Sequence, residues 1–303
     1  MDKVEKRFDF PEYIEYVTAG AGGDTMLVFG SEKTALHDCG MAFCAEKAVD
    51  NIEKALEKHG KTGLDYILLS HSHYDHIGGL PYIKKRWPEA VVCGAQKTKD
   101  VFARPNAVKL MEELGTAARD LYSDSKEPIL SEGFSVDKVV SEGDKIELGD
   151  KYFYVIETKG HTDCSLTYVL EPQKIMFLSE STGVFVNENT VNTSILKGYK
   201  DSMQSAEKCK RYGARRLISP HYGLIPEEVG LRYFDLYAET AEELRSFLCG
   251  LIRQGLTKEE LLAAFEEKYW SEELGRGQPK PAFLVNAKAT INLFVREMPE
   301  GSC

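Results

Sequence analysis

Three of the chain's seven histidines stand within six residues, in the segment His71-Ser72-His73-Tyr74-Asp75-His76. Imidazole nitrogens are the commonest protein ligands of zinc and iron, and carboxylate oxygens suit the same ions. Side chains two residues apart point to the same side of an extended segment, so His71 and His73 can face one ion. Asp75 and His76 follow across a turn and can face a second ion. The segment therefore predicts a site for two metal ions.

The strands and helices predicted around the histidine segment must position its side chains. The apolar run Tyr66–Leu69 predicts a buried strand, so the histidines follow the carboxyl end of a strand, where α/β sheets bind ligands. Ahead of it, Ala45–His59 has an apolar stripe at helical spacing and ends at Gly60. Residues 95–127 have a helical pattern broken by prolines, which indicates an insertion rather than a core element.

Short apolar runs elsewhere predict further strands and, near the end of the chain, only helices. The predicted strands are Thr25–Phe29, Thr34–His37, Val91–Val92, Lys138–Val140, Lys145–Leu148, Tyr152–Glu157, Ser165–Leu170, Lys174–Leu178 and Arg216–Ser219. The predicted later helices are Asp201–Tyr212, Leu231–Ile252, Glu259–Trp270 and Asn286–Val295. Two β-rich halves with outer helices predict an α/β fold, a four-layer αββα sandwich. We expect residues 1–229 to form this domain, with the insertion at about 95–127, and residues 230–303 to form a helical C-terminal extension packed on it.

Composition excludes several classes of protein. The net charge of −10 argues against binding to nucleic acid, which relies on clustered Lys and Arg. No apolar run is long enough to span a membrane, and the first ten residues lack the apolar stretch of a secretion signal. The seven cysteines are odd in number and widely spaced, without a Cys-x-x-Cys pair, which predicts free thiols in a reducing compartment. A cytoplasmic location is therefore expected.

The histidine segment and four other segments resemble the signatures of the metallo-β-lactamase superfamily, in the right order over residues 13–225. They are Ala35-Leu36-His37-Asp38-Cys39-Gly40, His71 to Leu80, Lys159-Gly160-His161-Thr162-Asp163, Ile175 to Ser181, and Leu217 to Gly223. The resemblance implies the metallo-β-lactamase form of the αββα sandwich. It also implies a seven-residue set of metal ligands.

In that set, His71, His73 and His161 would bind one ion, and Asp75, His76 and His221 the other, with Glu180 bridging both. Glu180 departs from the Asp usual at this position, and its arm is one methylene longer. Asp163 is the rival carboxylate, and Asp38 is expected to orient the ligand loop rather than to bind metal. The expected cofactors are two divalent ions, zinc first, with iron or manganese as alternatives.

Two divalent ions lower the pKa of a shared water, so the expected reaction is hydrolysis by a bridging hydroxide. Asp75 is the expected proton shuttle, and Tyr222 either donates to an oxyanion or leaving group or simply packs beside the site. The substrate is expected to be a small-molecule ester, thioester, lactone or phosphodiester. The alternatives are a metal-binding regulatory protein with residual hydrolysis and a mono- or di-iron oxidoreductase on the same fold.

Three structural alternatives stay open. The 95–127 insertion and the helices after residue 230 are rich in apolar and aromatic residues. They are expected to cap the active-site face, to form a homodimer interface or simply to cover the core. A serine-hydrolase mechanism has no Gly-x-Ser-x-Gly segment to support it.

Overall fold

Two six-stranded sheets form the centre of the molecule, which a computed structural model describes over residues 7–275 and 279–297. The first sheet, in spatial and chain order, contains β1 (Ile14–Tyr16), β2 (Met26–Phe29), β3 (Thr34–His37), β4 (Tyr66–Leu68), β5 (Val91–Gly94) and β6 (Lys138–Val139). The second sheet has the order β14-β13-β10-β9-β8-β7, with β7 (Lys145–Glu147), β8 (Tyr152–Glu157), β9 (Leu166–Glu171), β10 (Ile175–Phe177), β13 (Arg216–Ser219) and β14 (Gly223–Leu224). A separate hairpin joins β11 (Val184–Asn187) and β12 (Thr190–Asn192).

Helices cover the outer faces of both sheets and fill the end of the described chain. They are α1 (Ala45–Lys58), α2 (Tyr74–Ile77), α3 (Leu80–Arg86), α4 (Gln96–Phe102), α5 (Pro105–Tyr122), α6 (Tyr199–Tyr212), α7 (Glu227–Gly230), α8 (Tyr233–Arg253), α9 (Lys258–Tyr269), α10 (Glu272–Gly275) and α11 (Lys280–Glu297). Short 3-10 turns lie at Ala42–Cys44 and Glu180–Thr182.

Alternate residues of the central strands point to opposite faces, and both faces are buried. In β2, Val28 packs between the two sheets, whereas Leu27 packs outward with Ile52 of α1. In β9, Tyr168 packs between the sheets, whereas Val169 packs outward against the α6 and α8 side. The layers are therefore helix, sheet, sheet and helix, which confirms the predicted αββα class.

Strand direction brings the motif-bearing loops to one edge of the sandwich. β3 and β4 are parallel, with Leu36 opposite Ile67, so their carboxyl ends lie side by side. β10 and β13 are likewise parallel, with Phe177 opposite Ile218. The turn between the antiparallel strands β8 and β9 reaches the same edge, where the Leu166 N–H donates to the Ser70 carbonyl across the two sheets at 2.7 Å.

Several predicted element bounds need correction. The strand predicted at Lys174–Leu178 is shorter, since β10 covers only Ile175–Phe177, and Glu180 begins a 3-10 turn. The last helix is longer than predicted. It spans Lys280–Glu297, whereas the predicted helix covered only 286–295. The insertion is helical as predicted, in two helices separated just before Pro105, which takes the first helical position of α5. The short strands β1, β11, β12 and β14 were not predicted.

The C-terminal helices share cores with the sandwich and with one another. Tyr233 and Tyr237 of α8 pack into the cluster on the outer face of the second sheet. Farther along, α8, α9 and α11 enclose a core that also contains Ile195, from the loop after β12. α9 begins at Thr257 with the predicted capping box. The boundary between residues 229 and 230 stays a prediction.

Two other expectations concern the whole chain. Within residues 7–275 and 279–297, none of the helices has the length and apolar character needed to cross a bilayer. Cys39, Cys44, Cys93, Cys164 and Cys209 are free thiols. Cys249 is disulfide-bonded, so the expectation of free thiols throughout is wrong at that position.

Candidate metal centre

The histidine segment leaves β4 in an extended conformation and then turns into α2. His73 is extended, with φ −75° and ψ 142°, so it and His71 project together toward the second sheet. α2 begins at Tyr74 and carries Asp75 and His76 to a second position. The local turn therefore divides one short segment between two groups of side chains.

The three-histidine group consists of His71, His73 and His161. Their ligand atoms lie within 4.8 Å of one another, and His161 Nε2 is 2.9 Å from His73 Nδ1. His71 is fully buried, and its Nε2 has no hydrogen-bond partner. Burial lowers the pKa of His71 well below its usual range and that of His73 to about 4. These imidazoles are therefore neutral near pH 7, the form that binds metal.

The mixed group consists of Asp75, His76, Glu180 and His221, again with ligand atoms within 4.8 Å of one another. Glu180 Oε1 is 3.0 Å from His76 Nε2 and 3.2 Å from His221 Nε2. Asp75 Oδ2 lies 3.7 Å and 3.6 Å from the same two nitrogens. Two imidazoles and two carboxylates therefore surround one point.

Glu180 lies between the two groups. Its Oε1 belongs to the mixed group, and its Oε2 is 3.5 Å from His161 Nε2 in the three-histidine group. Burial would raise the pKa of Glu180, but the neighbouring His161, His221 and His76 outweigh it and hold that pKa well below its usual range. The side chain is therefore a carboxylate between the two groups, with Oε2 toward His161 and Oε1 toward the mixed group and 3.9 Å from His71 Nε2.

In three of these histidines, the ring nitrogen that faces away from the centre makes a hydrogen bond that fixes the tautomer of the imidazole. His161 Nδ1 donates to the Ser194 carbonyl at 2.9 Å, and His221 Nδ1 donates to the Gly22 carbonyl at 3.0 Å. His76 Nδ1 donates to Asp38 Oδ2 at 2.8 Å. Each of these rings therefore directs an Nε2 lone pair into the centre.

Asp38 connects the two groups through hydrogen bonds on the side away from the centre. Its carboxylate accepts the Ser70 N–H at 2.7 Å and the Ser70 hydroxyl at 2.6 Å, in addition to His76. The Ser70 oxygen is in turn 3.0 Å from His71 Nδ1. Asp38 thus orients the ligand loop, as expected of it, and stays outside both groups.

The donor set fits divalent metal ions. His76 Nε2 and His221 Nε2 are 3.2 Å apart, and a carboxylate oxygen faces both. Converging lone pairs repel unless a proton or a cation lies between them, and the buried, unpaired Nε2 of His71 carries the cost of a lost hydrogen bond. Nitrogen and carboxylate oxygen donors of this kind suit zinc, iron or manganese.

Protons and metal compete for the mixed group. Burial opposes protonation of His76, but the carboxylates of Asp75, Asp38 and Glu180 outweigh it and hold its pKa well above the usual range. The pKa of His221 is raised in the same way, chiefly by Glu180 against the effect of burial. A cation bound here must therefore displace a proton.

The other residues considered from the sequence lie outside both groups. Asp163, the rival carboxylate, is exposed. His37 packs between the sheets against Phe177, and His59 pairs with Glu15 at 2.8 Å. Tyr222 is half-buried, with its ring 4.5 Å from that of Phe185.

Sequence reasoning missed two features of the centre. Ser194 contacts both His161 and Glu180, but it stands in no recognisable motif. Gly23 is the second feature, because a Cβ there would lie 2.7 Å from His76 Nδ1. The run Ala19-Gly20-Ala21-Gly22-Gly23 was a signal for such close approach of the backbone.

Part of this chain is similar in sequence to known enzymes. Hydroxyacylglutathione hydrolase of Buchnera aphidicola is 30% identical over 128 residues, which are 42% of this chain and 36% of that protein. The coenzyme F₄₂₀H₂ oxidase of Methanocaldococcus jannaschii is 28% identical over 151 residues, 50% of this chain and 31% of that protein. The chain therefore spans about a third of the length of these relatives.

The fold is shared with solved structures. A metallo-beta-lactamase family protein from Thermus thermophilus superposes with a TM-score of 0.58 at 18% identity, over 95% of this chain and 94% of that one. The family model of the metallo-beta-lactamase superfamily matches residues 19–221. That range contains all seven converging residues, and the chain belongs to the metallo-beta-lactamase superfamily.

Proposed function

We propose that this chain is a hydrolase that holds two divalent metal ions and cleaves an ester-type bond of a small molecule. The observation that carries the proposal is the pair of ligand groups that share Glu180, with His71 Nε2 buried and unpaired. His71, His73 and His161 would hold one ion, and Asp75, His76 and His221 the other. Such ions supply an activated water and a Lewis acid for the scissile group.

Asp75 is the proposed proton acceptor. Its side chain is 20% exposed, against 7% for Glu180, so Asp75 is the carboxylate that an incoming water or substrate can reach. Glu180 is enclosed by histidines and by Ser194, which suits a fixed ligand. Glu180 would thus bind the metal ions, while Asp75 would accept a proton.

Tyr222 has two candidate roles, and a single variant separates them. Its ring packs on Phe185 and lies 5.7 Å from the Arg7 guanidinium, which supports a packing role. Its position directly after His221 supports a donor role. Tyr222→Phe keeps the ring, so an unchanged kcat would assign packing and a reduced kcat would assign donation.

Thioesters are the first substrate class to test. The relative from Buchnera is named for hydrolysis of hydroxyacylglutathione, an acyl group on a thiol. Esters, lactones and phosphodiesters suit the same site and belong in the same panel.

The deciding experiment combines metal analysis with that panel. Protein purified without added metal is expected to contain close to two ions per chain and to hydrolyse at least one of an acyl-glutathione, an acyl-CoA, p-nitrophenyl esters, lactones and bis-p-nitrophenyl phosphate. Less than one ion per chain with the cluster intact would defeat the two-metal proposal. Two ions with no hydrolysis would favour a metal-binding regulatory protein.

A second candidate, an iron-dependent oxidoreductase, is favoured by the match to the oxidase of Methanocaldococcus over half of this chain. Iron as the metal present, oxygen consumption with a reductant, and no hydrolysis across the panel would together support it. Zinc with hydrolysis would exclude it.

A further inference from the structure

Glu180 must be held in a particular rotation if its two oxygens are to serve two ions. Its Oε1 is fixed by His76 and His221, at 3.0 Å and 3.2 Å. Its Oε2 lies farther from the three-histidine group, at 3.5 Å from His161 Nε2. Rotation about the last side-chain bond could bring both oxygens to the mixed group, so something else must hold Oε2.

Ser194 provides that contact. Its hydroxyl donates to Glu180 Oε2 at 3.0 Å, and its own carbonyl accepts His161 Nδ1–H at 2.9 Å. One buried residue therefore touches both the shared carboxylate and a member of the three-histidine group.

The backbone of Ser194 is held in an unusual conformation. Its φ is +51°, in the left-handed region that costs energy for most residues other than glycine. In this conformation of the loop after β12, the Ser194 carbonyl contacts His161 and the Ser194 hydroxyl contacts Glu180. The surrounding structure must therefore stabilise it.

That stabilisation comes from two directions. The Lys197 N–H donates to the Gly160 carbonyl at 2.8 Å, which ties the loop to the residue before His161. On the other side, the Ile195 carbonyl accepts the Thr290 hydroxyl of α11 at 3.0 Å, and the Ile195 side chain is buried in the core of the C-terminal helices. The helical extension thus reaches the metal centre through two successive residues of one loop.

We propose that Ser194 is a positioning residue that keeps Glu180 shared between the two ligand groups, and that the C-terminal helices hold Ser194 in place. The inference rests on the proposed two-metal function and assigns the extension a role other than a lid or a dimer interface. Without the Ser194 hydroxyl, the carboxylate turns toward the mixed group, and the three-histidine group loses a ligand.

The test measures metal binding rather than turnover. Metal-free variants are titrated with Co²⁺ against a chromophoric chelator, in a His221→Ala background that isolates the three-histidine group and in a His73→Ala background that isolates the mixed group. Adding Ser194→Gly should weaken Co²⁺ binding about tenfold in the first background, the scale expected for loss of an orienting contact, and leave it nearly unchanged in the second. Equal effects in both backgrounds, or none in either, would overturn the proposal.

A second substitution separates the hydroxyl from the backbone. Alanine keeps the backbone cost that Ser194 already has at a φ of +51°, whereas glycine removes it, so Ser194→Ala and Ser194→Gly should lose the same Co²⁺ affinity. A loss confined to Ser194→Gly would assign the effect to the freed backbone and contradict the proposal. Ser205→Ala is the matched control, since this buried hydroxyl donates to the Lys159 carbonyl at 2.7 Å and touches neither group.

The link to the helices has its own variant. Thr290→Val removes the hydroxyl that holds the Ile195 carbonyl and should weaken Co²⁺ binding in the same background as Ser194→Gly, to a smaller extent. Thr240→Val, which removes a hydroxyl bonded within α8, is the control. A Thr290→Val protein with unchanged binding would show that the helices do not act through this loop.

The two proposals fail differently. Wild-type protein that takes up two Co²⁺ ions but hydrolyses nothing would defeat the hydrolase and leave the role of Ser194 intact. Wild-type protein that hydrolyses its substrate, together with a Ser194→Gly variant of unchanged binding, would do the reverse.

Discussion

The two ligand groups lie side by side but are built from different chemistry. The three-histidine group contains only imidazoles, and burial keeps the pKa of His71 and His73 low. The mixed group surrounds its two imidazoles with carboxylates, which raise the pKa of both. The first group is therefore ready for a cation at neutral pH, while the second holds protons until a cation displaces them.

Under the proposed function, this difference would suit the two groups to different tasks. A neutral, buried set of nitrogens suits permanent binding, since protons compete little for it. A set with more negative charge and one partly exposed carboxylate suits an ion that works with substrate and solvent. The predictions below test this contrast.

The largest effect is expected from His73→Ala. It removes a ligand from the three-histidine group, and hydrolysis should fall by more than about 100-fold, beyond the range found for orienting residues alone. The measurement is kcat together with metal content by mass spectrometry. His59→Ala, a histidine outside both groups, is the control and should keep both ions; full activity in His73→Ala would refute the mechanism.

Glu180 should be the residue whose loss affects both groups. Glu180→Gln removes the charge that faces each of them, so both Co²⁺ affinities should fall by about 10- to 100-fold. Glu180→Asp keeps the charge but retracts it by one methylene, and one group should keep its affinity while the other weakens. A Glu180→Gln protein altered in only one group would show that the carboxylate is not shared.

Asp38→Asn should act mainly on the mixed group. The new amide would place an N–H opposite His76 Nδ1–H, which favours the tautomer that protonates Nε2. We expect about a tenfold loss of Co²⁺ affinity there, measured in the His73→Ala background, and a smaller loss at His71, which Asp38 reaches only through Ser70. Asp65→Asn, a carboxylate that accepts Thr34 hydrogen bonds, is the control.

The order of metal release on acidification follows from the pKa directions. His76 and His221 have raised pKa values, so their protons compete already near neutral pH, by about tenfold in affinity per pH unit for each proton displaced. His71 and His73 have lowered values and stay neutral until the pH approaches the His73 pKa of about 4. Dialysis at falling pH should therefore release one ion before the other; simultaneous release would contradict the contrast.

The smallest effect is expected from Tyr237→Phe. The Tyr237 hydroxyl of α8 donates to the Ser181 carbonyl at 3.0 Å, next to Glu180 but in contact with neither group. Its loss should cost about 1 kcal/mol in the free energy of unfolding, measured with denaturant, and leave both Co²⁺ affinities unchanged. A selective loss in one group would show that α8 reaches the centre by a second route.

Site residues could be predicted from the sequence where they stand in a short, recognisable motif. The hexapeptide and the isolated His161 and His221 could be assigned from motif order, because each follows a strand end. The direction of the Glu180 oxygens could not, since it depends on a side-chain rotation set by Ser194. Ser194 itself is separated from its partners by 14 and 33 residues and has no motif.

For the C-terminal helices too, the elements could be predicted from the sequence but their contacts could not. Their apolar spacing predicted helices correctly, and the Thr257 capping box marked one start. The contact of Thr290 with Ile195 could not be foreseen, because it joins residues 95 positions apart through a loop without regular structure.

Each ligand group takes members from both halves of the sandwich. His71 and His73 follow the first sheet while His161 lies in a turn of the second, and the mixed group is divided in the same way. Bound ions would therefore cross-link the two halves, and saturation at about 100 times Kd would add about 2.7 kcal/mol to folding stability per site. Under the proposed two-metal function, loss of metal would therefore lower the stability of the fold, and the amount of this chain in a cell should fall with metal supply.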